Sequence, residues 1–289
     1  MNLFTEKNNI AGVVIVYNPD KSVISNIISY LNQISSLFII DNSFLPNEEM
    51  FSGLIDTPGV YYLPQKKNIG ISAALNLAAQ LAIRKGFKYL LTMDQDSIVS
   101  QDMIRKMLTL NCEYNKIGII APFFINRYRT RIPGKEPFKK ILFEKTSGNL
   151  LNLDTYSKIG PFDENLFIDY VDIEYCFRLN SAGFEVIQVN GAELIHNEAF
   201  LSSNKFLFKI VYPWNHNPIR WLYKIRNLFY LRDKYYKEYP SFFKNEYKNY
   251  LKQFIKIFLF EDKKFSKLKF AIKGYSFYKK RKMGSYNGR

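Results

Sequence analysis

The chain has 289 residues, 47% hydrophobic and 17% aromatic, with 14 Gly and 11 Pro. That composition excludes a collagen-like, low-complexity or wholly disordered chain, because enough apolar surface exists to offset the entropy of ordering. The formal charge of +15 is unevenly spread: residues 1–204 hold 19 Lys and Arg against 21 Asp and Glu, and residues 205–289 hold 22 against 5.

A near-neutral body (1–204) and a cationic, aromatic-rich, helical C-terminal region (205–289) imply two jobs, the second facing something anionic. Cys112 and Cys176 lie far apart without CxxC spacing, so neither a disulfide scaffold nor a cysteine zinc site is indicated. With His196 and His216 the only histidines, any metal must be held largely by carboxylates. The opening residues lack a secretory signal pattern, and no uncharged apolar run reaches the length of a spanning helix. A cytoplasmic protein is expected.

In chain order, Ala11–Tyr17 is a β-branched run closed by Asn18-Pro19-Asp20, which predicts a buried strand and a turn. Val23, Ile24, Ile27, Ile28 and Leu31 have amphipathic-helix spacing. Strands follow at Leu37–Ile40, Gly59–Leu63 and Tyr89–Met93, ending at Asp41-Asn42, before Asn68-Ile69-Gly70, and at Asp94-Gln95-Asp96. A helix runs through Ala73, Ala74, Leu77, Ala78 and Leu81. Strands alternating with helices predict an α/β, Rossmann-like, mostly parallel sheet, in which ligands bind beyond the carboxyl ends of the strands. No GxGxxG follows the first strand, and no P-loop or GxSxG elbow occurs.

Two carboxylates two residues apart, Asp94 and Asp96, would share one face of an extended strand, a geometry suited to Mg²⁺ or Mn²⁺ bridging phosphate oxygens. Turn-forming acids before a helix from Gln101 to Leu110, capped by Ser100, are the plain alternative. Further on, an acid-rich run from Asp163 to Glu174 leads into a helix with Tyr175, Cys176 and Leu179 on one face and Gly183 at its end. Asp169 and Asp172 then sit near a helix N-terminus, as caps or as a general base, while Glu174 and Arg178 have ion-pair spacing. His196 ends an alternating strand, Phe184–Ile195. The stretch Asn126–Lys135, with alternating Arg and then Pro-Gly, reads as a loop near the site or as a surface hairpin.

The blocks Tyr17-Asn-Pro, Ile40-Asp-Asn-Ser43, Asn68–Asn76, Leu91–Ser97, Thr146–Leu150 and Phe167–Arg178 come in one order. Together they resemble the family 2 glycosyltransferases, most of all the bacterial rhamnosyltransferase-like members, over about residues 10–230. The resemblance implies a GT-A fold and metal-dependent (Mn²⁺ or Mg²⁺), inverting sugar transfer from a dTDP- or UDP-sugar to a saccharide or lipid-linked acceptor of bacterial surface polysaccharide. It implies Tyr17, Asp41, Asn68 and Gly70 around the nucleoside, and Asp94, Asp96 and His196 as metal ligands. It places Ser147, Gly148 and Asn149 at the sugar pocket, Arg226 at the diphosphate and Asp172 as the base. Val171 stands where some relatives carry a second acid, so the base function rests on Asp172.

The tail has two readings of its own. Interleaved Phe, Tyr and Lys could bind nucleic acid, but such a binder gains nothing from acids at strand and helix ends, and no nucleic-acid partner is expected. Alternatively, Tyr247, Tyr250, Leu251, Phe254 and Phe258 form an apolar stripe with Lys244, Lys248, Lys252 and Lys256 on another side. That helix either lies on the inner membrane face or packs on the catalytic domain.

Overall fold

A computed structural model describes residues 9–109, 116–125, 134–196, 204–206 and 209–286. Cys112 and residues 126–133 of the Arg-rich stretch lie outside the described residues. The chain forms two compact units, one of Met1–Glu164 and Val171–Asn197, the other of Asn165–Tyr170 and Glu198–Arg289. The first unit thus closes at Asn197 rather than 204, and Asn165–Tyr170 belongs to the second, a transfer that no composition shift announces.

The first unit is built on a nine-stranded sheet. Its strands are β1 (Ile10–Val16), β2 (Ser36–Asp41), β3 (Val60–Pro64), β4 (Tyr89–Asp94), β5 (Ser97–Val99), β6 (Ile117–Ile125), β7 (Phe138–Ile141), β8 (Asn149–Asn152) and β9 (Glu185–His196). The order is β3-β2-β1-β4-β8-β6-β9-β5, with β7 also on β9. Strands β3, β2, β1 and β4 are parallel, β8 runs antiparallel to β4 and β6, and β6 and β9 are parallel. Around it are α1 (Ser22–Leu31), α2 (Glu48–Ile55), α3 (Ile71–Arg84), α4 (Met103–Leu108), α5 (Leu153–Ile159) and α6 (Val171–Ser181).

The central strands read as unbroken apolar runs because both sheet faces are covered. All of β1 but Ile15 is buried, and Val14, Val16, Leu91 and Met93 share a core with Ile27 and Tyr30 of α1. Helix α3 buries Ala74, Ala78, Ala79 and Ala82, small side chains that let it approach β1 and β4 closely. One expectation fails after Asp94. Ser97–Val99 forms β5, antiparallel to β9, so the next helix starts at Met103 with Asp102 at its N-cap, not at Gln101 behind Ser100. The Ser100 carbonyl instead accepts from Met103 N and from Gln33 Nε2.

The second unit has a short hairpin, β10 (Asn204–Phe206) and β11 (Lys209–Val211), then α7 (Pro218–Tyr235), α8 (Pro240–Phe260) and α9 (Lys264–Lys279). Proline begins α7 and α8, where its missing N–H costs nothing, and Asn217 caps α7 through Ile219 N. A Cβ on Gly274 would lie 2.4 Å from the Leu222 carbonyl oxygen, so glycine permits the close crossing of α7 and α9. Trp221 is fully buried against the rings of Trp214, Tyr250 and Phe254. The stripe expected on α8 is therefore split: Tyr250 and Phe254 face Trp221, while Leu251 and Phe258 are exposed. Among the described residues, no helix is long and apolar enough to cross a membrane.

Candidate active site

Four consecutive parallel strands deliver their carboxyl ends side by side, and hydrogen bonds lace those ends together. After β1, Tyr17 N donates to Gln95 Oε1 (2.8 Å), and Asn18, at φ +44°, donates its N–H to Ser43 Oγ (2.8 Å). Tyr17 is largely exposed, which leaves a ring available to a flat ligand.

Asp41 closes β2 and is fully buried. Its carboxylate accepts from Ser43 N (2.9 Å), Asn47 N (2.9 Å), Asn47 Nδ2 (3.0 Å) and the Tyr62 hydroxyl (2.6 Å). Burial alone would raise its pKa, but the bonds from Ser43, Tyr62 and Asn47 outweigh that and hold it below the usual carboxylate range. Asp41 therefore shapes the β2–α2 loop from beneath. Asn68 Oδ1 accepts from Gly70 N (2.9 Å), and Gly70, at φ +87°, opens α3 while its carbonyl receives Asn42 Nδ2 (3.3 Å).

At β4 the extended-strand picture of Asp94 and Asp96 does not hold. Asp94 ends the strand, and Gln95 and Asp96 form the turn into β5. Both acids are half-buried. Asp94 N donates to Ser147 Oγ (3.1 Å), and Ser147 Oγ donates to Ser97 Oγ (2.8 Å). Ser147 is fully buried, so it fixes the backbone of this turn. Gln95, a candidate by its position at the strand end, ties the turn to Tyr17 and, through its carbonyl, to Asn26 Nδ2 (2.8 Å). His196 is the ladder partner of Ser97, one residue from Asp96. Among the described residues, no three His, Cys, Asp or Glu form a ready metal-binding group.

Gly148 locks the Thr146–Asn149 loop onto β4. Its N–H reaches the Thr92 carbonyl (2.6 Å), its φ is +80°, and a Cβ would stand 2.4 Å from Leu194 Cδ1 and 2.7 Å from Pro122 Cγ. The Thr92 hydroxyl donates to the Thr146 carbonyl (2.5 Å), and Asn149 Oδ1 is buried without a hydrogen-bond partner. Thr92, Thr146, Asn149, Glu144, Asp172 and Cys176 border a cleft of about 10 Å³, room for about one water. Thr92 is a polar residue inside an otherwise apolar strand, the signal that could have flagged it.

The acids around the start of α6 separate cleanly. Asp172 is half-buried on the first turn, where Oδ1 accepts from Ile173 N (2.9 Å). Glu174 is fully buried and paired with Arg178 Nε (3.0 Å), the ion pair its spacing suggested. Asp169 belongs to the second unit and is held by two cations. At φ +64° it accepts from Arg220 Nη2 (3.0 Å) and Lys224 Nζ (3.1 Å). Burial opposes its charge, but those two cations hold its pKa far below the usual range. In the same unit, burial with Arg220 and Lys224 nearby pulls His216 down to about 3.

Arg226 is a correction. Expected at the diphosphate, it is fully buried in the second unit. Its guanidinium donates to the carbonyls of Gly284 (2.7 Å), Asn165 (3.3 Å) and Lys282 (3.4 Å) and to Asn227 Oδ1 (3.0 Å). Burial lowers it to about 10, still charged at neutral pH. It ties the end of the chain to Asn165, and its donors are spent on protein.

Comparison with known proteins agrees with this architecture. The chain is 27% identical over 246 residues to the dTDP-rhamnosyl transferase RfbF of Shigella flexneri, covering 78% of this chain and 81% of that protein. It is 22% identical over 208 residues to the low-salt glycan biosynthesis hexosyltransferase Agl10 of Haloferax volcanii, covering 64% and 66%. Among solved structures, GalNAc-T7 with UDP, GalNAc and Mn²⁺ superposes with a TM-score of 0.62 at 12% identity, over 82% of this chain and about half (49%) of that one. Staphylococcus aureus TarS 1–349 with UDP-GlcNAc gives 0.53 at 10% identity, over 75% and 64%. These likenesses show a GT-A fold. The model for glycosyl transferase family 2 matches residues 13–163, more than half of the chain, so this protein is a glycosyltransferase of family 2.

Proposed function

We propose that the chain transfers rhamnose from dTDP-rhamnose to a hydroxyl of a saccharide or lipid-linked acceptor, with inversion at the anomeric carbon. The observation that carries this reading is the set of polar residues at the carboxyl ends of the parallel strands, where Asp94 and Asp96 close β4 on the turn that Ser147 pins and Asp172 borders the same small cavity as Thr92 and Asn149. The name of the Shigella relative supports the donor.

Tyr17 and Asn68 take the nucleoside on the shelf that Asp41 and Gln95 hold in shape. Asp94 and Asp96 fit a divalent cation by chemistry, two hard carboxylates on a turn pinned by Ser147, with His196 beside it in register. When bound, such a cation offsets the charge that grows on the departing diphosphate. Ser147, Gly148 and Asn149 hold the loop that borders the sugar. Asp172 removes the proton of the acceptor hydroxyl, a poor nucleophile at neutral pH, from the face opposite the leaving group. One displacement breaks the sugar–phosphate bond and forms the new glycosidic bond.

A second reading, a hexosyltransferase using a UDP-sugar, is favoured by the relative named as a hexosyltransferase. Incubation with a panel of nucleotide-sugars with and without Mn²⁺, read by nucleoside-diphosphate release, separates them. Release from dTDP-rhamnose alone supports the proposal, whereas turnover confined to UDP-hexoses selects the alternative. NMR of the product linkage tests inversion, and turnover unchanged by chelator removes the cation.

A further inference from the structure

Helix α8 carries two apolar faces. The inward face holds Phe243, Tyr250 and Ile257, buried at seven-residue intervals, with Phe254 on Trp221. On a neighbouring side, centred about 115° further round at 100° per residue, lie Leu251, Ile255, Phe258 and Leu259, exposed to 64%, 52%, 49% and 53%. Lys244, Lys248 and Lys252 share that outward side and are exposed.

The charge of this part of the sequence is nearly of one sign. Residues 244–282 hold thirteen Lys and Arg against three Asp and Glu, and one of those acids, Glu261, is buried against Lys267 (2.6 Å). In the next helix Phe265 is exposed to 82%. A second copy of the chain would bring like charges together. A nucleic acid would stack on aromatic rings, yet three of the four outward apolar residues of α8 are aliphatic. An aliphatic stripe set among lysines is complementary to acyl chains beneath anionic headgroups, with the lysine stems reaching back to the phosphates.

We propose that the outward face of α8, centred on Leu251, Ile255, Phe258 and Leu259 and framed by Lys244, Lys248 and Lys252, docks on an anionic lipid bilayer. The helix lies in the interface rather than across it. This surface would bring the enzyme to acceptors held in a membrane, but lipid binding is measured without turnover, so its failure leaves the transferase reading untouched.

The test is co-sedimentation of the full chain with phosphatidylglycerol–phosphatidylcholine vesicles and with phosphatidylcholine alone. Binding is expected on the anionic vesicles and lost on the neutral ones and in high salt. Each lysine near an anionic leaflet contributes about fivefold, so a Lys244→Gln/Lys248→Gln/Lys252→Gln variant should bind roughly a hundredfold more weakly. A Leu251→Ser/Ile255→Ser/Phe258→Ser variant should lose binding with an unchanged circular dichroism melt, because these side chains are exposed. Equal binding to neutral vesicles, or full binding by the serine variant, overturns the proposal. So does a wild-type dimer that the serine variant converts to monomer, or an oligonucleotide that outcompetes the vesicles.

Discussion

Asp172→Asn separates a base from a helix-terminal hydrogen-bond acceptor. In the structure, Asp172 Oδ1 accepts from Ile173 N at 2.9 Å, a bond that an amide oxygen makes equally well. Asn is as good as Asp near a helix start, so the stability cost should stay within about 0.5 kcal/mol. The amide cannot take a proton. Loss of general-base catalysis costs about 10²–10⁴ in rate, or about 3–5 kcal/mol of transition-state stabilisation. The assay is kcat and KM for transfer from the accepted nucleotide-sugar, beside nucleoside-diphosphate affinity by calorimetry and a thermal melt. Expected are a steep fall in kcat, near-unchanged nucleotide binding and an unchanged melt. A variant retaining most of its transfer rate would refute the assignment. Asp169 and Glu174 could not then simply inherit the role, since both are tied to cations.

Three further outcomes follow from the same geometry. Gly148→Ala forces a Cβ into Leu194 and Pro122 at a positive φ, so urea unfolding should show a loss of about 2–4 kcal/mol. Arg226→Met removes hydrogen bonds from a buried guanidinium to three part-buried carbonyls and should lower stability by about 3 kcal/mol while leaving KM for the donor unchanged; a raised KM with an unchanged melt would return Arg226 to the diphosphate. Acid should weaken the second unit in two stages. His216, depressed to about 3, makes the unfolded chain bind the extra proton between about pH 6.5 and 3, so stability falls as pH drops through that range. Asp169, also depressed, contributes stability present above about pH 4 and lost below it. Thermal melts of the full chain from pH 8 to 3 should therefore decline from near pH 6.5, and His216→Gln should remove the earlier stage.

Much of the catalytic unit was readable because its physics is local. Parallel strands covered on both faces must be apolar throughout, and the polar residues that interrupt them mark their carboxyl ends, which is how Tyr17, Asp41 and Asp94 were singled out, whereas Asn68 rested on the family resemblance. What each does there was less readable. Asp41 resembles a ligand contact in sequence, yet four donors within 21 residues of chain engage its carboxylate. Ser147 stands in a block read as pocket lining, but it is buried under the Asp94–Ser97 turn, a pairing across 50 and 53 residues that no spacing reveals. β5 was missed because three residues carry too little periodicity, and only its partner β9 makes them a strand. Arg226 was misread for a similar reason: its acceptors are backbone carbonyls about sixty residues away on either side of it in sequence, invisible to side-chain pattern.

The C-terminal helices show the limit of periodicity most sharply. An apolar stripe identifies a buried face only when a helix has one such stripe. On α8 the inward set, Phe243, Tyr250 and Ile257, and the outward set, Leu251, Ile255, Phe258 and Leu259, stand on neighbouring sides, and a single broad stripe drawn through them takes members from both. Burying the first set, with Tyr250 on Trp221, satisfies the fold of the second unit and leaves the other without a fold-level reason. Lysines on that same side keep such a surface soluble without covering it. A helix kept apolar on a side that its own core leaves exposed, and basic beside it, is shaped by what lies outside the chain.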